Sequence, residues 1–273
     1  MKKHLPTIIL ILVFCTGLGL LLYPTVSDYW NSLHQTRAIA GYVEALAEID
    51  DDAYEAYLAD AQAYNAALAR YGTHWTLTEE EYAQYERLLN ISGSGVMGYI
   101  EIPCIDCYLP IYHGTGEKVL EIAAGHIEGS SLPVGGESTH ALISGHRGLP
   151  SAKLFTDLDK LVVGDIFLIH VLDETLTYEV DRILIVEPDD LSALTIEAGE
   201  DLCTLITCTP YGINTHRLLV QGHRVENAAE TGAVRVSADA LLIDKAIVAP
   251  LVAVPLLLLL LVWLLIKTRR RKK

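Results

Sequence analysis

Two apolar segments near the ends of the chain enclose a long middle of mixed polarity. Residues 7–23 form the first segment, which Lys2 and Lys3 precede. Residues 246–266 form the second, which is 21 residues long, carries no charge and runs into KTRRRKK. A helix needs about 20 apolar residues to cross a bilayer core. The second segment therefore predicts a transmembrane helix followed by a basic tail, residues 267–273.

The first segment has two interpretations. A basic start followed by an apolar run is typical of a cleaved signal peptide as well as of a membrane anchor. After Leu22 the chain reads Tyr-Pro-Thr-Val, which lacks a small-x-small cleavage site, and this favours an uncleaved anchor over residues 1–23. Basic residues flank both segments on their terminal sides. The positive-inside rule then predicts cytoplasmic termini, with residues 24–245 outside the cell.

Residues 24–93 have a helical pattern. Apolar positions recur at helical spacing, and three consecutive aspartates at residues 50–52 predict a break between two helices. Thr78 and Glu81 form a T-x-x-E capping box, which predicts a short helix over residues 78–89. Because an amphipathic helix buries its apolar face, we expect this segment to pack as a stalk or brace against the main domain.

After Asn90 the pattern changes to short apolar runs separated by Gly, Pro, Ser and Asp clusters. Many of the apolar residues are β-branched, as in strands. About eight runs over residues 94–228 predict a mainly β domain, a closed or nearly closed β-barrel. Residues 229–245 would link it to the second apolar segment. The runs are GVMGYIEIP, YLPIYHG, THALISGH, DIFLIHV, LTYEV, ILIVEP, DLCTLITC and THRLLVQGHRV. Short helices are expected over residues 118–124 and 151–158.

Charge and cysteine content exclude two classes of protein. The chain has 35 Asp and Glu against 20 Lys and Arg. Eight of the basic residues lie at the two ends, so residues 24–245 carry a net charge of −23. A domain this acidic repels phosphate backbones, which argues against a nucleic-acid partner. Five cysteines in 273 residues do not make a disulfide scaffold.

The chemistry is concentrated in one predicted hairpin. Cys208 falls at the end of one strand and Arg217 near the start of the next, so the turn between them brings thiol and guanidinium to one end of the sheet. His146 follows another strand, in a loop with Gly and Pro. A catalytic Cys needs a base or cation beside it, and an Arg can stabilise an oxyanion. With ten histidines in the chain, residue type alone leaves the base open.

These residues lie in segments that resemble class C sortases, the pilin-polymerising transpeptidases of Gram-positive bacteria. The resemblance covers about half of the chain in consistent order. It implies the sortase β-barrel, with Cys208 as nucleophile, His146 as acid/base and Arg217 as oxyanion stabiliser. The segments are TLITCTPYGINTHRLLVQGHR (residues 204–224), GVMGYIEIP (95–103), LPIYHGT (109–115), GHIEGSSLPVGGESTHALISGHRGLPSAKLFTDLDKL (125–161) and VEPDD (186–190).

The resemblance also implies a reaction and its partners. Cys208 would cleave an LPXTG-like sorting signal at its Thr–Gly bond, and a Lys amine of the next pilin would then take the acyl group, with no cofactor or metal. Pilin subunits and membrane lipid are the expected partners, at the cell surface. The alternatives are a housekeeping-type sortase that uses a cell-wall peptide amine, a membrane-anchored domain that binds pilins without turnover, and a hydrolase in which water replaces the amine.

The sequence departs from the class in one respect. Class C enzymes usually carry a lid with an Asp-Pro-aromatic motif before the barrel, and this chain has no Asp-Pro dipeptide. In the corresponding stretch, residues 69–90, His74 and Trp75 are candidates for a substitute groove cover. The alternative interpretation is that Trp75 is an ordinary packing residue.

The remaining cysteines and a second histidine have structural interpretations. Cys104 and Cys107 form a C-x-x-C without a second Cys/His pair at metal-site spacing, so structural thiols are favoured over a redox pair or half a zinc site. Cys203 precedes Cys208 by an odd number of residues, so strand alternation points it to the opposite face. His216 is next to Arg217 and should face away from it for the same reason. Acidic clusters such as Glu79–Glu81 and Asp189–Asp190 are expected to be solvated surface.

Overall fold

The structure is a computed structural model that describes residues 5–73, 75–227 and 255. His74, the linker over residues 229–245 and the basic tail lie outside the described residues. So does the predicted transmembrane helix over residues 246–266, apart from Pro255. The chain divides into two compact units, and the division falls between Trp30 and Asn31.

Helix α1, Leu5–Glu48, is one continuous helix of 44 residues with Pro24 inside it. The predicted boundary between an anchor over residues 1–23 and a helical segment over residues 24–93 falls within this helix. A proline removes one backbone hydrogen-bond donor from a helix interior. The helix nevertheless continues on both sides of Pro24. Among the described residues, one helix is long and apolar enough to cross a membrane, with Ile8–Glu48 as the candidate stretch.

The helices of the larger unit start where their caps predict. Helix α2, Asp51–Tyr71, begins after Asp50, whose carboxylate accepts a hydrogen bond from the Ala53 N–H at 2.9 Å. Helix α3, Glu79–Tyr85, has the predicted capping box of Thr78 and Glu81 but ends four residues before the predicted end. The break between α1 and α2 at the aspartates is confirmed.

Helices α1 and α2 brace the barrel through hydrogen bonds as well as apolar packing. The Asn65 side chain on α2 accepts from the Leu132 N–H at 2.7 Å and donates to the Leu132 carbonyl at 3.0 Å. The Tyr42 hydroxyl on α1 accepts from the Leu172 N–H at 2.7 Å. These bonds tie the helices to loops between strands, which confirms the predicted brace.

Eight strands close into a barrel in the order β1-β2-β3-β4-β7-β8-β6-β5. The β2–β3 and β4–β7 pairs are parallel, and the other pairs are antiparallel. The predicted mainly β class and closed barrel are confirmed. The strands are β1 Val96–Ile102, β2 Cys107–His113, β3 Ala124–His126, β4 Thr139–Ser144, β5 Ile166–Val171, β6 Glu174–Val186, β7 Asp201–Thr209 and β8 His216–Val225.

The predicted number of strands is right, but two of the assignments behind it are wrong. LTYEV and ILIVEP belong to the single strand β6, whose pairing with β8 shifts register between Val180 and Arg182. Strand β3 lies partly where a helix was expected, and helix α4 is shorter, Glu117–Leu120. Residues 151–157 form irregular backbone and turns instead of an α-helix, and Leu158 starts the short 3₁₀ helix Leu158–Lys160. Leu154 there has φ 41°, which an α-helix does not allow.

Alternation along the strands separates two apolar clusters. Cys203 and Leu205 on β7 belong to the main core inside the barrel. Ile206, between them and Cys208, faces outwards and packs with residues of neighbouring strands and of the β6–β7 loop. We call this second group the outer apolar cluster; its buried members are Leu142, Leu194, Ile206 and Leu219. It lies on the face of the sheet that carries the candidate site.

Candidate active site

The β7–β8 hairpin places Cys208 and Arg217 directly opposite each other. Cys208 is the next-to-last residue of β7, Arg217 is the second residue of β8, and the two are cross-strand partners in the ladder. Directly opposite residues on antiparallel strands have Cβ atoms about 4.5–5.5 Å apart. Both side chains are half-buried and lie on the same face as Ile206. The hairpin therefore brings the thiol and the guanidinium together, as its sequence predicts.

His146 lies at the same end of the sheet, just beyond β4. Strand β4 runs parallel to β7, and the Gly145 N–H extends the ladder with a 3.0 Å bond to the Ile206 carbonyl. The Thr207 hydroxyl donates to the Gly145 carbonyl at 2.7 Å. These two bonds fix the chain immediately before His146 against the strand residues immediately before Cys208.

A cavity of about 280 Å³ joins the three side chains, and we call it the active-site groove. Cys208, His146 and Arg217 all line it. Members of the outer apolar cluster form an apolar wall, and the β6–β7 loop contributes an acidic edge. The wall and edge residues include Ile127, Leu194, Ile206, Leu219, Glu187 and Asp190.

The Arg217 guanidinium is held by its own hairpin. Its Nη1 donates to the His216 carbonyl at 3.2 Å and approaches the Asn214 carbonyl at 3.5 Å. Among the described residues, no carboxylate forms a salt bridge with Arg217. The positive charge beside Cys208 is therefore left for a negative group that develops in the groove.

The other described cysteines have different surroundings. Cys203 is completely buried, and burial raises its thiol pKa well above the usual value. Burial also raises the thiol pKa of Cys107 to about 12 and that of Cys104 to about 11. All the described cysteines are free, and Cys15 lies exposed on α1. Cys203 faces the core and Cys208 the groove, which confirms the prediction from strand alternation.

Trp75 is half-buried and packs against the outer apolar cluster, whose members also line the groove. It lines a neighbouring cavity of about 390 Å³ together with Tyr82 and Glu128. Trp75 thus lies beside the groove on its apolar wall, while His74 is outside the described residues.

Sequence reasoning did not identify the acidic edge of the groove. Asp190 belongs to a cluster expected only as solvated surface, Glu187 was assigned no role, and both side chains are exposed. Their place at the groove depends on the fold of the β6–β7 loop, which no short pattern encodes. His216 faces away from Arg217, as predicted, and its Nε2 lies 3.2 Å from a Glu187 carboxylate oxygen.

A closed eight-stranded barrel with Cys, His and Arg at one end is the architecture of a sortase domain. The Sortase domain model matches residues 100–225. Sortase C1 from Streptococcus agalactiae is 53% identical with a TM-score of 0.69, and the match covers 70% of this chain and 99% of that one. Streptococcus pneumoniae sortase C is 44% identical with a TM-score of 0.60, covering 70% and 97%. The chain belongs to the sortase family.

Its strong structural neighbours are class C sortases, which confirms the resemblance that the sequence segments carry. Among curated proteins, Sortase D of Bacillus subtilis (strain 168) is 33% identical over 131 residues. That match covers 47% of this chain and 63% of the relative. The members of this family are cysteine transpeptidases.

Proposed function

We propose that this protein is a membrane-anchored class C sortase that polymerises pilins through a thioester on Cys208. The observation that carries the proposal is the meeting of Cys208, His146 and Arg217 in one groove. The 53% identity to sortase C1 over 99% of that chain adds weight. A relative from Streptococcus pneumoniae is described in connection with pilin substrate specificity, and one from Clostridium perfringens was solved with its C-terminal cell wall sorting motif.

The proposed first half-reaction is acylation. The Cys208 thiol passes its proton to His146, and the sulfur attacks the Thr carbonyl carbon of an LPXTG-like signal. The carbonyl oxygen becomes an oxyanion beside the Arg217 guanidinium. As the C–N bond to Gly breaks, His146 gives a proton to the leaving amine. The pilin is then held as a thioester, which keeps its acyl group activated for transfer.

The second half-reaction is aminolysis. The side-chain amine of a Lys on the next pilin attacks the thioester carbonyl and loses a proton to His146. The C–S bond breaks, an isopeptide bond forms, and His146 returns the proton to the sulfur, which restores the Cys208 thiol. The exposed Glu187 and Asp190 at the groove edge favour approach of a cationic Lys over an anion.

The apolar wall of the groove suits the Leu and Pro of the sorting signal, and Trp75 is suited to regulate access to it. Trp75 belongs to the stretch between α2 and α3, residues 72–78, and packs on the same outer apolar cluster. We propose that this stretch covers part of the groove and moves away when the sorting signal binds. Trp75, with His74, would then replace the aromatic residue of the usual lid.

The location follows from the two apolar segments. We propose that α1 and residues 246–266 anchor the protein in the membrane, with both termini cytoplasmic and the barrel outside the cell. The apolar stretch of α1 supports the first anchor. Pilin precursors held at the same membrane would meet the enzyme at a raised effective concentration.

Intact mass spectrometry of the full chain in detergent tests the chemistry. The wild type, Cys208→Ala and the matched control Cys104→Ala are incubated with an LPXTG-like peptide. We expect a peptide adduct on the wild type and the control, absent from Cys208→Ala and removed by hydroxylamine. An adduct that persists on Cys208→Ala would contradict the assignment of the nucleophile.

The products separate the alternative functions. A Lys-bearing pilin fragment should yield an amide-linked product, whereas a housekeeping-type enzyme should prefer a cell-wall peptide amine and a hydrolase should release a free Thr carboxylate. A chain that binds the peptide but forms neither adduct nor product would be a pilin-binding domain without turnover.

A further inference from the structure

Arg147, the residue after His146, directs its side chain into the protein instead of into the groove. Only 9% of the side chain is exposed, and Arg147 is not among the residues that line the groove. Arginine is almost never buried to this degree unless it is paired. Its partners therefore indicate what it does.

The guanidinium joins three segments around the proposed catalytic residues. Its Nη1 donates to the Thr209 hydroxyl at 3.3 Å, and Thr209 is the residue after Cys208. Its Nη2 forms a salt bridge with Asp159, which lies in the short 3₁₀ turn Leu158–Lys160. The guanidinium carbon lies 5.9 Å from the ring centroid of Tyr211 in the β7–β8 loop.

The neighbouring backbone is built to allow this arrangement. Gly148 has φ 78°, and a Cβ there would lie 3.0 Å from the Tyr211 ring, so a side chain at this position would push the two loops apart. The Gly148 N–H donates to the Thr156 hydroxyl at 3.1 Å, and the His146 carbonyl accepts from the Phe155 N–H at 3.1 Å. The backbone around His146 is therefore fixed from several sides.

The His146 ring itself has no such support. In the part of the chain that the structure describes, no hydrogen bond or salt bridge to the ring is present. Among the described residues no carboxylate orients it, unlike the histidine of a Ser-His-Asp triad. Its direction relative to the Cys208 thiol thus depends on the backbone that carries it, and Arg147 connects that backbone to the end of β7.

We propose that Arg147 is a positioning residue that sets the geometry between His146 and Cys208, with Asp159 holding the guanidinium in place. This inference rests on the proposed function. The Arg147 Nε is buried without a partner among the described residues, so part of the hydrogen-bonding capacity is unused. Because a buried donor without a partner costs free energy, Arg147 adds less to the stability of the fold than its number of contacts suggests. Its forked guanidinium instead connects two separate segments at the same time.

Kinetics of acylation on the full chain in detergent test the proposal. Arg147→Met should lower kcat by about 10- to 100-fold with KM within about twofold, because a small displacement of a reacting group costs rate without loss of binding. Arg147→Lys keeps the charge but not the forked guanidinium, so its kcat should lie between those of the wild type and Arg147→Met. Asp159→Asn and Thr209→Val should each lower kcat by about three- to tenfold for the same reason.

Matched controls lie beside each change. Asp157→Asn removes a carboxylate that neighbours the same turn but pairs with Lys153 and Lys160, so kcat should stay at the wild-type value. Thr209→Ser keeps the hydroxyl and should also behave as wild type. If Arg147→Met does not fold, as judged by its melting temperature, Asp159→Asn and Thr209→Val decide the outcome.

A second substrate separates positioning of His146 from general damage. An aryl ester of the sorting-signal peptide has a leaving group that needs no proton, so the defect of Arg147→Met should shrink towards wild type, as that of His146→Ala should. The inference would be overturned if Arg147→Met lowered kcat equally on the amide and the ester. It would also be overturned if kcat were at the wild-type value in Arg147→Met, Asp159→Asn and Thr209→Val. Cys208→Ala must be inactive on both substrates; if it is active, the proposed function itself fails.

Discussion

At the scale of single residues, the described cysteines differ in their surroundings. Burial raises the pKa of Cys107 to about 12 and that of Cys203 well above the usual value, so both thiols are protonated at neutral pH. Desolvation and the nearby Asp165 raise the pKa of the exposed Cys104 to about 11. Cys208 is half-buried and lies opposite Arg217. The neighbouring group is therefore a cation, in contrast to the buried surroundings of Cys107 and Cys203 and the acidic neighbour of Cys104.

We therefore expect alkylation by iodoacetamide at neutral pH to be selective within the barrel. Cys208 should react first because it lines the groove beside the Arg217 guanidinium. Burial raises the thiol pKa of Cys107 and Cys203, and desolvation with Asp165 raises that of Cys104, which disfavours the reactive thiolate at those three positions. Peptide mapping by mass spectrometry after brief treatment measures the modified fraction at each position. Cys208→Ala supplies the control, and faster modification of Cys104 than of Cys208 would contradict the prediction.

The residue scale also limits what the sequence can predict. Cys203 and Cys208 fall on opposite faces because strand side chains alternate, so their separation is visible in the sequence. The contacts of Arg147 with Asp159 and Thr209 are not, since they join residues that the barrel brings together from different elements.

At the scale of elements, turn and cap signals were more informative than apolar runs. The capping box at Thr78 and the N-cap residue Asp50 mark real helix starts. Strand β3 has only three residues, too short for a period to appear, and it is a strand because it pairs with β2 and β4. Strand β6 is interrupted in sequence by polar residues at its register shift, so its halves look separate.

At this scale, the proposed groove cover between α2 and α3 can be tested at Trp75. If Trp75 covers part of the groove, only the fraction of molecules with an open groove can bind the peptide, and the apparent affinity is lowered by that fraction. Trp75→Ala should then raise the rate of thioester formation severalfold at low peptide concentration. Single-turnover mass spectrometry measures this rate. Trp75→Phe should change it less, and Tyr71→Ala, on the exposed end of α2, should leave it unchanged.

A slower reaction of Trp75→Ala would contradict the proposed cover. It would favour the alternative in which Trp75 is part of the wall that the sorting signal contacts.

At the scale of the whole molecule, buried histidines connect distant elements of the larger unit, and His126 connects helix α3 to the barrel. The His126 ring is completely buried, its Nε2 lies 2.8 Å from the Ser131 carbonyl and its Nδ1 lies 2.9 Å from the Tyr85 hydroxyl. The carbonyl requires a donor, so the neutral ring carries its proton on Nε2 and Nδ1 accepts from Tyr85. His140 is likewise buried, and its Nδ1 lies 2.8 Å from the carbonyl oxygen of Thr195 in the β6–β7 loop.

These histidines make the folded barrel sensitive to acid. Burial lowers the pKa of His126 from 6.5 to about 4 and also lowers that of His140. Between pH of about 6.5 and about 4 the unfolded chain binds a proton that folded His126 does not, so the free energy of unfolding falls as pH falls through this window. The contribution of His126 is on the order of 3 kcal/mol and is fully present above the unfolded pKa.

His126→Gln should therefore unfold more easily at pH 7 but lose less stability on acidification, since the amide can still donate to Ser131 and does not titrate. Urea unfolding at pH 7 and pH 4.5 measures both effects. His223→Gln, at a histidine on the barrel surface whose side chain is 40% exposed and lies 3.3 Å from Asp181, is the control for removal of a surface histidine. If His126→Gln loses as much stability between the two pH values as wild type does, carboxylates and not this buried ring govern the acid response, and α3 is held by Tyr85 through its bond from the Gly114 N–H instead.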